Sequence, residues 1–114
     1  MSTDRMRRVD EAIREVLSDA LGGSDLKDPR IGFVTVTDVK TSPDLRHARV
    51  FVTVLGGTEE REASLAGLQS AHGLLQRRVA SQLRMKRTPT LQFSYDETTD
   101  RAMHIEELLS EDDA

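Results

Sequence analysis

The stretch Thr58–Pro89, TEEREASLAGLQSAHGLLQRRVASQLRMKRTP, decides how the rest of the chain is read. Leu75, Val79 and Leu83 recur every fourth residue, which stacks them on one helical face. Arg77 and Arg84 fall nearly opposite that stripe. Ala71-His72-Gly73 interrupts the pattern, so two helices are expected, with Gly73 permitting the bend through a positive φ or a close helix approach. Gly73→Val is accordingly expected to lower stability. Pro89 disfavours helical geometry at Thr88 and offers no N–H, so the second helix stops before it. Five basic residues, Arg77, Arg78, Arg84, Lys86 and Arg87, and no acidic one occupy positions 77–87. One face of this unit suits packing and the other suits a negatively charged partner.

Working outward, Gly56-Gly57 precedes the helix pair, Thr58 is the expected N-cap, and Glu59 and Glu60 suit the positive end of the helix. Upstream the period is two. Val34 and Val36 alternate with Thr35 and Thr37, giving a strand over 32–40. Ala48, Val50, Val52 and Val54 alternate with His47, Arg49, Phe51 and Thr53, giving a second over 45–55. Thr41-Ser42-Pro43-Asp44 between them predicts an antiparallel hairpin. Past Pro89, Leu91, Phe93 and Tyr95 alternate with polar residues in a third strand, and the two-helix crossover favours placing it parallel to the second. The N-terminal 4–21 is an amphipathic helix on Met6, Val9, Ile13, Val16, Leu17 and Ala20, ended by Gly22-Gly23. A last amphipathic helix is expected over 98–109, with Ile105, Leu108 and Leu109 on one side, and 110–114 as a frayed acidic tail. The pattern is α+β: helix-strand-strand-helix-helix-strand, then a C-terminal helix, with a three-stranded mixed sheet in one domain over 1–109.

The 114 residues suffice for one core, although the hydrophobic fraction is only 37%. There is no cysteine, which excludes disulfide and thiolate chemistry and suits the cytoplasm. No apolar run reaches the ~18 residues of a membrane span, and the N-terminus has no signal-peptide core. The net charge of −4 hides a division: residues 96–114 carry eight acidic groups and one arginine, whereas residues 1–95 carry fifteen basic and twelve acidic groups. The body is basic and the end acidic, and distribution rather than net charge decides whether an anionic polymer docks.

Catalytic patterns are weak. Ser42, Asp44 and His47 hold the letters of a hydrolase triad but crowd into a hairpin turn without a nucleophile elbow. His47, His72 and His104 are far apart and lack cysteine partners, so no metal site is expected, and no Walker or dinucleotide motif implies a cofactor or small-molecule substrate. The guanidinium groups of Arg77, Arg78, Arg84 and Arg87, with Lys86, suit phosphate oxygens. Arg46 and Arg49 add charge from the neighbouring strand, and Arg7 and Arg8 either join them or simply solvate the first helix. The start of the second helix near Gly73 would offer N–H groups to anions. Scarce aromatic residues favour contacts to backbone and shape over base stacking. Two other readings stay open: a helix-turn-helix placing Arg77 and Arg78 in a DNA groove, and a protein-interaction domain.

Several segments resemble the bacterial ribosome-binding factor A family. They are Asp28-Pro29-Arg30-Ile31-Gly32, Ser42-Pro43-Asp44-Leu45 before Ala48-Arg49-Val50-Phe51-Val52, the Ala71-His72-Gly73 break, and Leu83-Arg84-Met85-Lys86-Arg87-Thr88-Pro89 before Leu91-Gln92-Phe93-Ser94-Tyr95-Asp96. The resemblance implies a type II KH fold with Ala-x-Gly in place of the usual Gly-x-x-Gly loop. It also implies a monomeric, non-enzymatic factor. Its implied partner is the immature small (30S) ribosomal subunit, through 16S ribosomal RNA near the decoding region and also its proteins. Its implied role is late RNA processing, most needed in the cold. Ala102 and His104 depart from the family pattern.

Overall fold

The computed structural model describes residues 2–22 and 28–98. Its elements are α1 (Ser2–Gly22), β1 (Val34–Thr41), β2 (His47–Val54), α2 (Thr58–Ser70), α3 (His72–Leu83) and β3 (Thr90–Tyr95). The sheet order is β1-β2-β3, with β1 antiparallel and β3 parallel to β2. Past Thr98, the expected C-terminal helix over 98–109 and the tail 110–114 lie outside the described residues.

One face of the sheet makes the core. Val36, Val39, Ala48, Val50, Val52, Leu91 and Phe93 meet Ile13, Leu17 and Ala20 of α1, Leu68 of α2, and Leu75 and Val79 of α3. Each large aliphatic side chain removed from water there contributes about 1.5–3 kcal/mol. α1 is fixed lengthwise as well: the Asp10 carboxylate accepts the Thr41 N–H at 2.9 Å and the Thr41 hydroxyl, so the first half of α1 lies over the hairpin end of the sheet.

β1 is less regular than its valines suggest. The register slips between Val36 and Asp38, where Thr37 and Asp38 together oppose Phe51. This bulge reverses the alternation, so Val39 and Thr41 rather than Asp38 and Lys40 continue the buried row begun at Val36. In the turn, the Asp44 carboxylate accepts the Ser42 hydroxyl (2.6 Å) and the Arg46 N–H (3.1 Å), while Leu45 takes a left-handed φ of 61°.

The helix ends correct three expectations. α2 is capped by Gly57, not Thr58: the Glu60 carboxylate reaches back to the Gly57 N–H at 2.8 Å, and Thr58 is the first helical residue. The bend between α2 and α3 belongs to Ala71, whose φ of −84° and ψ of 4° leave the helical well. Gly73 has neither a positive φ nor any atom within 4 Å of where a Cβ would stand. α3 ends at Leu83 because Arg84 adopts a left-handed φ of 52° and donates its N–H to Ala80 O. Arg84, Lys86 and Arg87 therefore lie on a connector, not on the helix.

The close helix approach is at Gly67 instead. A Cβ there would stand 2.5 Å from Ile31 Cγ1. Beside it, Ser64 Oγ accepts the Gly32 N–H at 3.1 Å and donates to Arg30 O at 3.4 Å, tying Arg30–Gly32 to α2.

Candidate nucleic-acid interface

The hairpin end of the sheet gathers the cationic residues. β3 opens there, since Thr90 donates its N–H to Arg46 O at 2.8 Å and His47 pairs with Thr90. The connector bearing Arg84, Lys86 and Arg87 leads directly into that junction, and Arg7 and Arg8 lie three and two residues before Asp10, which binds Thr41 at the same end. Arg77 is exposed on the outer side of α3, opposite the buried Leu75 and Val79, and Arg78 is half-buried and engaged.

The acidic groups at this end are largely occupied. Asp4 pairs with Arg7 at 3.5 Å, both exposed. Asp44 lies 4.0 Å from Arg46, and its carboxyl is held below the usual carboxylate range by the Ser42 hydroxyl first and the Arg46 N–H second. Exposed pairs such as these contribute little to stability. Arg8, Arg77, Arg84, Lys86 and Arg87 make no ion pair with any described residue. Phosphate oxygens would therefore meet guanidinium and ammonium groups that are already solvated and accessible.

Arg49 does not join this group. It projects from the face of β2 opposite the helices, beside Lys40 of β1 and Gln92 of β3. Lys40 carried no signal in the sequence because its neighbour depends on the bulge at Thr37–Asp38.

The inter-helix motif turns inward. His72 Nε2 lies 3.0 Å from Leu91 O and donates to it in the Nε2–H tautomer. Gln76, one turn later, accepts the Leu91 N–H at 3.0 Å and donates to Pro89 O at 2.6 Å. Together they satisfy backbone groups on the outer edge of β3, which would otherwise be open to strand pairing. Their role was invisible in sequence, because nothing in the letters places α3 along that edge. His72 holds β3 and the connector in place; it does not project as a ligand.

The hydrolase letters resolve into turn chemistry: Ser42 Oγ accepts the His47 backbone N–H at 3.1 Å and donates to Asp44, so the imidazole is not its partner. No group of three or more His, Cys, Asp or Glu among the described residues is arranged to hold a metal ion, and no described helix is long and apolar enough to cross a membrane. A helix-turn-helix is also a poor match. Its helices are separated by a turn of about 3–4 residues, whereas Ala71 alone separates α2 from α3.

Residues 5–109 match the family model described as ribosome-binding factor A. The chain belongs to the ribosome-binding factor A family. The ribosome-binding factor A of Beutenbergia cavernae is 50% identical over 107 residues, covering 94% of this chain and 67% of that protein. A Thermotoga maritima ribosome-binding factor A homologue solved by NMR superposes with a TM-score of 0.73 at 34% identity, covering 82% of this chain and 89% of that one. A homology model of Thermus thermophilus ribosome-binding factor A, fitted into a cryo-EM map of a 30S complex, gives a TM-score of 0.62 at 28% identity, covering 75% and 88%. The architecture of the described residues is that of these relatives and agrees with the KH-like order of elements.

Proposed function

We propose that this protein binds the immature small ribosomal subunit, with the hairpin end of the sheet facing phosphates of 16S ribosomal RNA. The observation that carries the reading is the cluster of solvated cations at that end, in a family whose Thermus member has been fitted into a 30S complex. Arg84, Lys86 and Arg87 on the connector and Arg77 on α3 make the principal contacts, with Arg78, Arg46, Arg7 and Arg8 at the margins. Binding stabilises whichever RNA arrangement it prefers by the difference in affinity between arrangements. That is the physical content of assisting late RNA processing near the decoding region. The same argument fits a demand greatest in the cold, where misfolded RNA escapes slowly. No bond is made or broken by the protein in this scheme, and no cofactor is required. The partner places the protein in the cytoplasm, where it acts as a monomer.

The test is co-sedimentation with immature small subunits. The triple replacement Arg77→Glu, Arg84→Glu and Lys86→Glu affects exposed positions outside the core, so its melting temperature should stay close to wild type. Its retention on subunits should drop sharply. Wild-type retention would remove this end from the account.

A further inference from the structure

The face of the sheet opposite the helices carries a second arrangement. Thr35, Thr37, Lys40, His47, Arg49, Thr90 and Gln92 are exposed on it and Phe51 is half-buried, while at the end away from the hairpin the Asp96 carboxylate binds the Thr37 hydroxyl. The strand register orders it into rows. Lys40, Arg49 and Gln92 lie side by side across β1, β2 and β3, with Phe51 and Ser94 in the row on one side and His47 and Thr90 in the row on the other. A shallow depression of about 410 Å³ runs over Lys40, His47, Arg49, Phe51 and Gln92.

Lys40 and Arg49 are direct cross-strand partners, and neither has an ion pair with a described residue. Like charges placed opposite one another destabilise a sheet. The nearest carboxylates offset this only at a distance: Asp96, held ionised by the Thr37 hydroxyl (2.6 Å) and the Thr98 N–H (2.9 Å), attracts Lys40 without forming an ion pair, and Asp38 accepts the Val39 N–H at 2.9 Å. An anion between the two cations would turn the repulsion into attraction. An aromatic ring in the next row offers a surface for a planar group attached to that anion. Cations flanked by a ring on an open sheet are the chemistry of an unpaired nucleotide: base on ring, phosphates on Lys40 and Arg49.

We infer that this sheet face is a second RNA-contact surface that takes a single-stranded segment, with Phe51 as the stacking platform, Lys40 and Arg49 as phosphate ligands, and Gln92 at the base edge. The inference rests on the ribosomal RNA reading for its biological partner but not for its chemistry. It assigns Arg49 to a site apart from the helix-side arginines, and the hairpin turn separates the two surfaces. One protein would thereby hold a folded RNA element on one side and an unpaired strand on the other.

Full-length wild type, Phe51→Leu and the double variant Lys40→Gln/Arg49→Gln are compared by fluorescence anisotropy. The probes are an eight-uridine RNA and a ribose-phosphate strand of equal length without bases, each measured across a salt series. The same proteins are co-sedimented with immature small subunits. Phe51→Leu should lose about fivefold in affinity for the uridine strand, the low end of what a base–aromatic stack supplies, and nothing for the baseless strand. The double variant should weaken on both strands, with a salt slope about 1.4 shallower, as expected for two phosphates of a single strand. Both positions are exposed, so it should melt close to wild type. Wild-type affinity of both variants for both strands would overturn the inference. So would a loss confined to subunits, which would make the occupant a ribosomal protein. If the oligonucleotide pattern holds while wild type ignores the subunits, the ribosomal reading fails and this site stands.

Discussion

The two faces of β2 divide the labour of the molecule between alternate residues. Ala48, Val50, Val52 and Val54 are buried against the helices, whereas His47 and Arg49 are exposed on the other side with Phe51 and Thr53 half-buried. The first set carries the fold, and nothing about it is specific to a partner. The second set adds nothing to the core, and its Arg49 stands opposite a like charge, Lys40 of β1. A strand that needed only to be stable would not place two cations opposite each other. Where local chemistry works against the fold, a binding role is the natural place to look for the compensation.

The contrast is broken most directly at adjacent positions of β3. Leu91 is 2% exposed in the core, and Gln92 is exposed on the open face. Leu91→Ala should cost about 2–5 kcal/mol by leaving a cavity, while Gln92→Ala should change stability by no more than about 0.5 kcal/mol. Equilibrium denaturation measures both. Equal losses would mean that the open face is structural after all.

Two helical glycines sharpen the same rule. Gly67→Ala would push a methyl group into Ile31 Cγ1, 2.5 Å away. The overpacking costs about 1–3 kcal/mol and should exceed the helix-propensity gain of up to about 1 kcal/mol. Gly73→Ala meets nothing within 4 Å and has no positive φ to lose, so it should be neutral or raise the melting temperature. A fall at Gly73 would restore the idea that the glycine makes the bend.

The smallest effect is expected at Asp28, beside the tether to α2. Arg30 binds both its oxygens, at 3.0 and 2.6 Å, and together with the Arg30 N–H holds the carboxyl down at about 2 from a usual 3.8. A depressed carboxyl contributes stability above its unfolded value and loses it as pH falls through the folded one. Asp28→Asn should therefore melt slightly below wild type at pH 7, with the gap closing between about pH 4 and pH 2. A gap independent of pH would assign the effect to the turn geometry alone.

The order of elements and the strand directions were legible because the period changes from 3.6 to 2 at recognisable turns, and the apolar positions of each period do form the core. What escaped was set by local geometry that residue type does not announce. Arg84 ends α3 in a left-handed conformation usually taken by glycine or asparagine, so a reading based on Pro89 carried the helix too far. The bulge at Thr37–Asp38 shifts the phase of β1, hiding the pairing of Lys40 with Arg49. The cationic residues were legible as a group because five of them fall within positions 77–87. Their division between two surfaces depends on tertiary placement, which put Arg49 on the far side of the sheet.

The central claim is that solvated cations at the hairpin end neutralise ribosomal RNA phosphates. Its most direct test is the salt dependence of binding to immature small subunits, for wild type and for the Arg77, Arg84 and Lys86 glutamate variant. With about five phosphates met, wild-type affinity should fall roughly as the fourth to fifth power of salt concentration, and the variant should show a distinctly shallower slope. A wild-type slope near zero, or equal slopes for the two proteins, would contradict the account.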